Sequence, residues 1–130
     1  MNNTTFTSWA LRIITTFIIF QIVYFKLSGD PQCIFVFEIM GMEPYGRFIT
    51  GLIELVIGVF LLVPSTKLWG IIGAFGVASC CMTAHFTTLG IEINNDGGQL
   101  FSMTSSIFVC SIILSALHKD EIFLKINSDI

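Results

Sequence analysis

The sequence predicts an all-α protein: an integral membrane four-helix bundle with a short interfacial helix between its first and second spans. Of the 130 residues, 54% are hydrophobic and only 12% are charged, whereas soluble domains are about 25% charged. The apolar residues fall into four runs, each near the ~17–25 residues that cross a bilayer as a helix, and these runs cover residues 9–27, 46–63, 67–87 and 98–117. The connections are short, so residues 1–130 are predicted to form a single four-span membrane domain.

The first predicted span is expected to begin near Thr7 or Ser8, either of which can cap a helix. Arg12 follows closely, and its long side chain is expected to reach the headgroups of the nearer membrane surface. The run is too long for a cleavable signal and follows an uncharged segment, so we expect a retained helix. Its far end carries the polar residues Gln21, Tyr24 and Lys26. For Gln21, a hydrogen bond to a neighbouring helix is favoured over a ligand contact.

A short helix is predicted between the first two spans, from Pro31 to Met40. Asp30 and Pro31 have the pattern of an N-cap followed by a first-turn proline, and Gly41 has that of a helix stop. The segment is too short to span a bilayer and is mostly apolar, so it is expected to lie in the interface or over the mouth of the bundle. Pro44 is likewise predicted at the first helical position of span two.

Span two carries two charged residues into a hydrophobic helix. Arg47, Thr50 and Glu54 are spaced i, i+3 and i+7, so they share one helix face, with about 10 Å along the axis between the two charges. A charged side chain inside a bilayer costs at least a few kcal/mol. Both charges are therefore expected to face protein or water and to have partners there.

Spans two and three carry small residues at spacings that favour close helix packing. Gly51 and Gly58 lie seven residues apart in span two. In span three, a stripe of small residues ends at His85 and contains Gly70, Gly73, Ala74, Val77, Ala78 and Cys81. Such residues let a neighbouring backbone approach. They also leave room for self-association. The predicted partners are therefore the surrounding lipid bilayer and, as a hypothesis, further copies of the same chain in a homo-oligomer.

The positions of the basic residues predict the orientation. If the spans alternate, four of the six basic residues lie on one side of the membrane: Arg12, Lys67, Lys119 and Lys125. Lys26 and Arg47 lie on the other side. The positive-inside rule then places both termini in the cytoplasm of a multi-pass inner-membrane protein. Because the chain has no basic run, no nucleic acid partner is expected.

The remaining ionisable residues converge at the outer end of the predicted bundle. Three spans bring Lys26, Arg47, Glu54 and His85 to this end, and the outer loops add the carboxylates Glu38, Glu43, Glu92 and Asp96. One interpretation is architectural, since intramembrane charges can pair with one another and lock helices together.

The other interpretation is an outward-facing polar pocket. Glu54 and His85 would act as proton carriers, while Lys26 and Arg47 would hold an anionic or carbonyl-bearing ligand. Further candidate ligand contacts are Gln21, Tyr24, Thr50, Glu92 and Asp96. Cys81 and His85 have a spacing that metal ligands use, but the chain lacks a metal-binding motif and no metal site is predicted. The four cysteines are interpreted as small hydrophobic residues.

Several segments between about Trp9 and Leu117 form a recognisable set of motifs: residues 21–26 (QIVYFK), 42–47 (MEPYGR), Thr50-Gly51, Glu54-Leu55, His85, residues 89–92 (LGIE), residues 96–98 (DGG) and Leu100-Phe101. In this order they resemble the motifs of the DoxX-like membrane proteins, particularly a bacterial subgroup. The resemblance implies a four-helix membrane bundle and an oxidoreductase-associated role. It also implies that six of the charged or titratable residues belong together, namely Lys26, Arg47, Glu54, His85, Glu92 and Asp96.

The resulting functional hypothesis is an inner-membrane, redox-associated subunit that binds a quinone-like or small anionic molecule in the outer pocket. A quinone is the cofactor this hypothesis implies, and a redox protein is the partner. The alternatives are a small-molecule transporter and a non-catalytic assembly or stability partner whose charge cluster is architectural. The sequence specifies no reaction, so whether the protein is an enzyme stays open.

Overall fold

Helices make up almost all of the chain in the computed structural model, which describes residues 2–129. The helices are α1 (Asn3–Ser28), α2 (Pro31–Ile39), α3 (Tyr45–Leu62), α4 (Lys67–Ala84), α5 (Gln99–Leu117) and α6 (Lys119–Asp129). A π-helical turn, His85–Leu89, extends α4. Helices α1, α3, α4 with its extension, and α5 are each long and apolar enough to cross a membrane. The predicted all-α class with four long apolar helices is confirmed.

The four long helices form a closed ring in which each runs antiparallel to its neighbours. Helix α1 packs against α3 and α5, and α4 packs against the same two helices from the other side. The side chains of Leu61, Ile71 and Leu114 are fully buried between these helices. We name the two ends of this bundle by their residues: the Lys26 end holds the end of α1, the start of α3 and the turn after α4, and the Arg12 end is opposite.

Glycines mark the closest helix contacts, as the small-residue spacing predicted. A Cβ placed on Gly70 of α4 would lie 2.7 Å from the backbone nitrogen of Leu61 in α3. A Cβ on Gly51 would lie 3.2 Å from Leu27 of α1. At Gly70 the two helices therefore approach backbone to backbone, whereas at Gly51 a side chain of α1 packs against the glycine.

Two of the predicted helix starts are wrong. Helix α1 begins at Asn3, not near Thr7 or Ser8, because the Asn2 side chain accepts a hydrogen bond from the Thr5 N–H at 2.7 Å and caps the helix five residues before Thr7. Helix α3 begins at Tyr45, so Pro44 is the cap residue and not the first helical residue.

The predicted start of α2 at Pro31 agrees with the structure, whereas the helix ends at Ile39, one residue before the predicted Met40. The Asp30 side chain accepts a hydrogen bond from the Gln32 N–H at 3.0 Å, and Pro31 opens the helix. Gly41 follows the helix with φ of +72°, a conformation that glycine adopts without steric cost. The short apolar segment therefore folds as expected, and it lies at the Lys26 end of the bundle.

The Arg12 side chain is buried inside the bundle, whereas the sequence predicted that it reaches outward to headgroups. Its side chain is 2% exposed, its Nε donates to the Leu61 carbonyl at 2.7 Å, and its guanidinium lies 4.0 Å from the centre of the Trp9 ring. Because α1 begins so early, Arg12 lies in the third turn of the helix and faces α3. The carbonyl and the aromatic ring provide a polar and a π partner inside the protein.

Candidate functional site

A cavity of about 540 Å³ lies inside the Lys26 half of the bundle. All four long helices and α2 contribute to its walls, and most of the lining side chains are apolar, including Ile22, Phe37, Ile57, Val77 and Ile107. This differs from the polar mouth that the sequence predicted. The charges that the sequence brings to this end are mostly paired with one another or exposed, so aliphatic and aromatic side chains cover the cavity surface. Its size is typical of small-molecule sites.

One buried ion pair lies on the cavity wall. Lys26 of α1 donates from Nζ to Glu54 Oε1 of α3 at 2.9 Å and to Thr50 Oγ1 at 3.2 Å. Lys26 is 7% exposed and Glu54 is 5% exposed, and all three residues line the cavity. The prediction that Thr50 and Glu54 share one face of α3 is confirmed, since they lie one turn apart and both contact Lys26 of α1.

Both members of this ion pair have hydrogen-bonding capacity left. Glu54 Oε2 is buried and has no hydrogen-bond partner among residues 2–129. The Lys26 ammonium has three N–H groups, and Glu54 and Thr50 account for two of them. An unpartnered carboxylate oxygen in an apolar site costs free energy, so a ligand group that donates a hydrogen bond to Oε2 would be stabilised there.

Arg47 forms part of the support behind this pair and does not line the cavity. Its Nε donates to Glu43 Oε1 at 2.9 Å, its Nη2 lies 2.8 Å from the same carboxylate, and its Nη1 donates to the Lys26 carbonyl. The guanidinium also lies 4.4 Å from the centre of the Phe48 ring. Its donors are directed at protein groups, and they fix the end of α1 against the start of α3. The structure gives Arg47 a positioning contact with Lys26 and no direct contact with the cavity.

His85 lines the cavity from the first residue of the π-helical turn. Its Nδ1 lies 2.8 Å from the Gly90 carbonyl, and the ring meets Phe101 edge to face with 5.3 Å between centroids. A carbonyl only accepts hydrogen bonds, so Nδ1 carries the proton, and in the neutral ring Nε2 is an acceptor. The Gly90 N–H in turn donates to the His85 carbonyl at 2.8 Å. The turn therefore holds the imidazole in one orientation at the cavity wall.

Two predicted ligand contacts in the loop after this turn do not line the cavity. Asp96 accepts from the backbone N–H groups of Ile93, Gly98 and Leu100 at 3.0, 2.8 and 3.3 Å. Partial burial alone would raise the pKa of Asp96, but these donors together hold its pKa below the ordinary value. Glu92 is exposed. Asp96 therefore organises the loop, whose Ile93 side chain is buried and lines the cavity.

Two further predicted contacts, Gln21 and Tyr24, lie on the outer surface of α1. Both are exposed, and with Phe17, Phe20 and Phe25 they border a separate shallow groove. Lys26 faces the cavity because it is rotated away from them around the helix. The structure therefore brings Lys26, Thr50, Glu54 and His85 together at one cavity and places Gln21, Tyr24 and Glu92 elsewhere.

Helix α2 covers the Lys26 end of the cavity. Its Cys33 and Phe37 side chains are buried and line the cavity, and the Phe37 ring centroid lies 5.4 Å from Lys26 Nζ. Gln32 donates to the Asn94 carbonyl at 3.2 Å, which links α2 to the loop after α4. Burial, followed by the nearby Asp30 carboxylate, raises the pKa of the Cys33 thiol to about 11. The Cys33 side chain therefore acts at neutral pH as a protonated, apolar part of the roof.

The remaining cysteines and histidines give no sign of a metal centre. All four cysteines are free thiols. Among residues 2–129, no three His, Cys, Asp or Glu side chains lie close enough together to hold a metal ion. Cys81 and His85 both line the cavity, one turn apart on the same helix.

The Arg12 end holds a polar network that the sequence analysis did not identify. Ser8 Oγ lies 2.7 Å from His118 Nε2, and His118 Nδ1 lies 2.9 Å from Glu121 Oε1. Lys67 Nζ lies 3.5 Å from the other Glu121 oxygen. The hydrogen bond from His118 and the charge of Lys67 lower the pKa of Glu121.

This network joins the starts of α1, α4 and α6 to the end of α5. Its order of serine, histidine and carboxylate is also that of hydrolase nucleophile systems. However, Ser8 is 3% exposed on a regular helix and does not line the cavity. We therefore assign the network to helix packing. The sequence signal that could have indicated this network is His118. It directly follows the last apolar run and precedes α6, a helix that the sequence analysis did not predict.

No protein-family model, curated protein or solved structure matches this chain. The resemblance to DoxX-like proteins therefore stays a prediction, and the functional argument rests on the geometry of the cavity.

Proposed function

We propose that this chain is a DoxX-like inner-membrane protein with both termini in the cytoplasm, and that it acts as a redox-associated subunit that binds a quinone-like molecule in the cavity. The observation that carries the proposal is the buried Lys26–Glu54 pair on an otherwise apolar wall, with Glu54 Oε2 unpartnered. The basic residues of the Arg12 end support the orientation through the positive-inside rule.

The hydrogen-bonding groups of the pair complement both redox forms of a quinone. The third N–H of Lys26 can donate to a quinone carbonyl, and Glu54 Oε2 can accept from the hydroxyl of the reduced form. Reduction of a quinone takes up two electrons and two protons. Glu54 and the fixed His85 ring are the candidate carriers for those protons, and a redox protein partner would supply the electrons.

The charge balance favours a neutral ligand over a small anion. Lys26 is neutralised by Glu54, and Arg47 is neutralised by Glu43. An anion in this cavity would lose its hydration without gaining an unpaired positive charge, which is costly in an apolar site. A quinone ring, by contrast, would bury its apolar surface against the aliphatic walls.

The test is to purify the protein in native lipid and measure bound quinones by mass spectrometry in the wild type and in Glu54→Gln. Glu92→Gln is the matched control, because Glu92 is an exposed carboxylate at the same end of the bundle. We expect a bound quinone in the wild type and the control and its loss in Glu54→Gln. Absence of quinone from all three preparations, while the surrounding lipid still contains it, contradicts the proposal.

A non-catalytic assembly or stability role is the second candidate, and it is favoured by the mutual pairing of the charges. The pairs Lys26–Glu54 and Arg47–Glu43 both act at the α1–α3 contact. If this role is correct, Glu54→Gln lowers thermal stability, no bound quinone is found in any variant, and growth under oxidative or sulfur stress is unchanged.

A further inference from the structure

Helices α3 and α4 are in close contact at Gly70 and Gly73 of α4. A Cβ on Gly70 would lie 2.7 Å from the Leu61 nitrogen, and a Cβ on Gly73 would lie 2.9 Å from Ile57 Cγ1. Gly76 lies one turn further along α4, and there a Cβ meets nothing within 4 Å. Because Gly76 is exposed and also lines the cavity, α4 leaves an open space at this position.

The cavity opens to the outside between α3 and α4. Ile53 of α3 and Gly76 and Cys80 of α4 line the cavity and are also exposed. We call the opening bordered by these three residues the α3–α4 portal. The neighbouring side chains on the outside, Leu52, Val56 and Phe75, are apolar and exposed, as is expected for a face that contacts lipid.

The portal lies at the depth of the hydrocarbon core if α3 and α4 span the bilayer. Ile53 is near the middle of α3, and Gly76 is near the middle of α4. At 1.5 Å per residue, each is about 12–15 Å from either end of its helix. Water is scarce at that depth, so an opening there serves molecules dissolved in the lipid.

Helix α2 covers part of the Lys26 end, with Cys33 and Phe37 buried, and the Gln32–Asn94 hydrogen bond joins α2 to the opposite loop. Met40 and Met42 follow α2, line the cavity and are exposed. The side chains that line the cavity on this side are therefore apolar as well. A molecule from the bilayer reaches the Lys26–Glu54 pair through an apolar passage.

We propose that the ligand is a lipid-soluble quinone with a long apolar chain, which enters from the bilayer through the α3–α4 portal. Its ring lies against the Lys26–Glu54 pair, and its chain leaves through the portal into the lipid. This inference rests on the proposed quinone binding and specifies its ligand class and route. Three observations together carry the inference. Glu54 Oε2 has no hydrogen-bond partner among the described residues, Glu54 Oε1 lies 2.9 Å from Lys26 Nζ, and the cavity opens near the middle of α3 and α4.

The experiment compares a long-chain quinone with a tail-less quinone in protein reconstituted into vesicles. Gly76→Leu and, from the other side, Ile53→Trp add bulk to the portal without touching the ion pair. Val59→Trp is the matched control, because it adds bulk at an exposed position of α3 that does not line the cavity. Thermal unfolding of each variant verifies that the bundle is intact.

We expect Gly76→Leu and Ile53→Trp to weaken long-chain quinone binding about tenfold or more, since a side chain then competes for the space of the ligand chain. Binding of the tail-less quinone should stay unchanged in both variants, as should binding of both quinones in Val59→Trp. Equal binding of the long-chain quinone by all variants contradicts entry through the portal, but it does not contradict the proposed quinone site. If the wild type binds neither quinone, the proposed function itself fails, and the portal inference fails with it.

Discussion

Lys26 Nζ and Glu54 Oε1 lie 2.9 Å apart and join α1 to α3 at the wall of an apolar cavity. Each charge provides the partner that the other needs inside a hydrophobic bundle, and Thr50 and the Arg47-bound carbonyl of Lys26 fix the lysine from two sides. Because Glu54 keeps one unpartnered oxygen, the same contact can both hold the bundle together and bind a ligand.

Removing either member of the Lys26–Glu54 pair is expected to destabilise the protein by about 3–5 kcal/mol, because the remaining charge is buried without its partner. The single variants are Lys26→Met and Glu54→Leu. The double variant should recover most of the loss, since two apolar side chains fill the same space without a charge. Unfolding titrations in detergent micelles measure the stability of the two single variants and of the double variant. A double variant that is no more stable than the single variants contradicts the prediction.

Gly70→Ala is expected to destabilise the bundle by about 1–3 kcal/mol, the usual cost of overpacking. Its Cβ would lie within 3.0 Å of the backbone of Phe60 and Leu61, which cannot move aside as a flexible side chain does. The matched variant is Gly76→Ala on the same helix, where the site is open. There the change should be neutral or stabilise by up to about 1 kcal/mol through helix propensity. Thermal unfolding compares the stability of the two variants. An equal loss of stability in both would argue against a close backbone contact at Gly70.

Asp96→Ala is expected to lower the free energy of unfolding by about 0.5–2 kcal/mol, because three backbone N–H groups lose their acceptor. The loss of a helix cap has an effect of the same size. The folded pKa of Asp96 is lowered below the ordinary 3.8. Its contribution is therefore fully present above that pH and is lost as the pH falls through the folded pKa.

Hydrogen exchange of the loop amides, measured from neutral to acidic pH, checks this prediction. In the wild type, protection of the amides of Gly98 and Leu100 should fall as the solution becomes acidic, and in Asp96→Ala it should be low throughout. Glu92→Ala is the control, since this neighbouring carboxylate is exposed. Protection in Asp96→Ala equal to that of the wild type would contradict the assigned role.

Ser8→Ala is expected to destabilise the Arg12 end by about 1–3 kcal/mol, because the buried His118 Nε2 loses its partner. Thr7→Ala is the matched control: it removes a hydroxyl from the adjacent, exposed position. Thermal unfolding compares the two, and bound quinone provides a second measurement. A purely structural network predicts lower stability with unchanged quinone content, whereas loss of quinone in Ser8→Ala would connect this end to the cavity.

Local patterns made much of the fold predictable. Runs of apolar residues defined the long helices, and the spacing of Gly51, Gly58, Gly70 and Gly73 indicated where helices approach. The i, i+3, i+7 spacing showed that Arg47, Thr50 and Glu54 share a face. The start of α1 was misjudged because a cap at Asn2 precedes the apolar run, and α6 was missed because its amphipathic sequence follows the last span without a clear apolar run.

By itself, the sequence determined that this is an all-α chain with four helices apolar enough to span a membrane, and that Lys26, Arg47 and Glu54 need partners near one end. Only the tertiary structure decided which partners they take: Lys26 pairs with Glu54, Arg47 with Glu43, and Asp96 with its own loop. It also decided that the cavity is mostly apolar and that Gln21 and Tyr24 face away from it. Periodicity fixes which residues share one helix face, but the rotation and register between helices determine which faces meet.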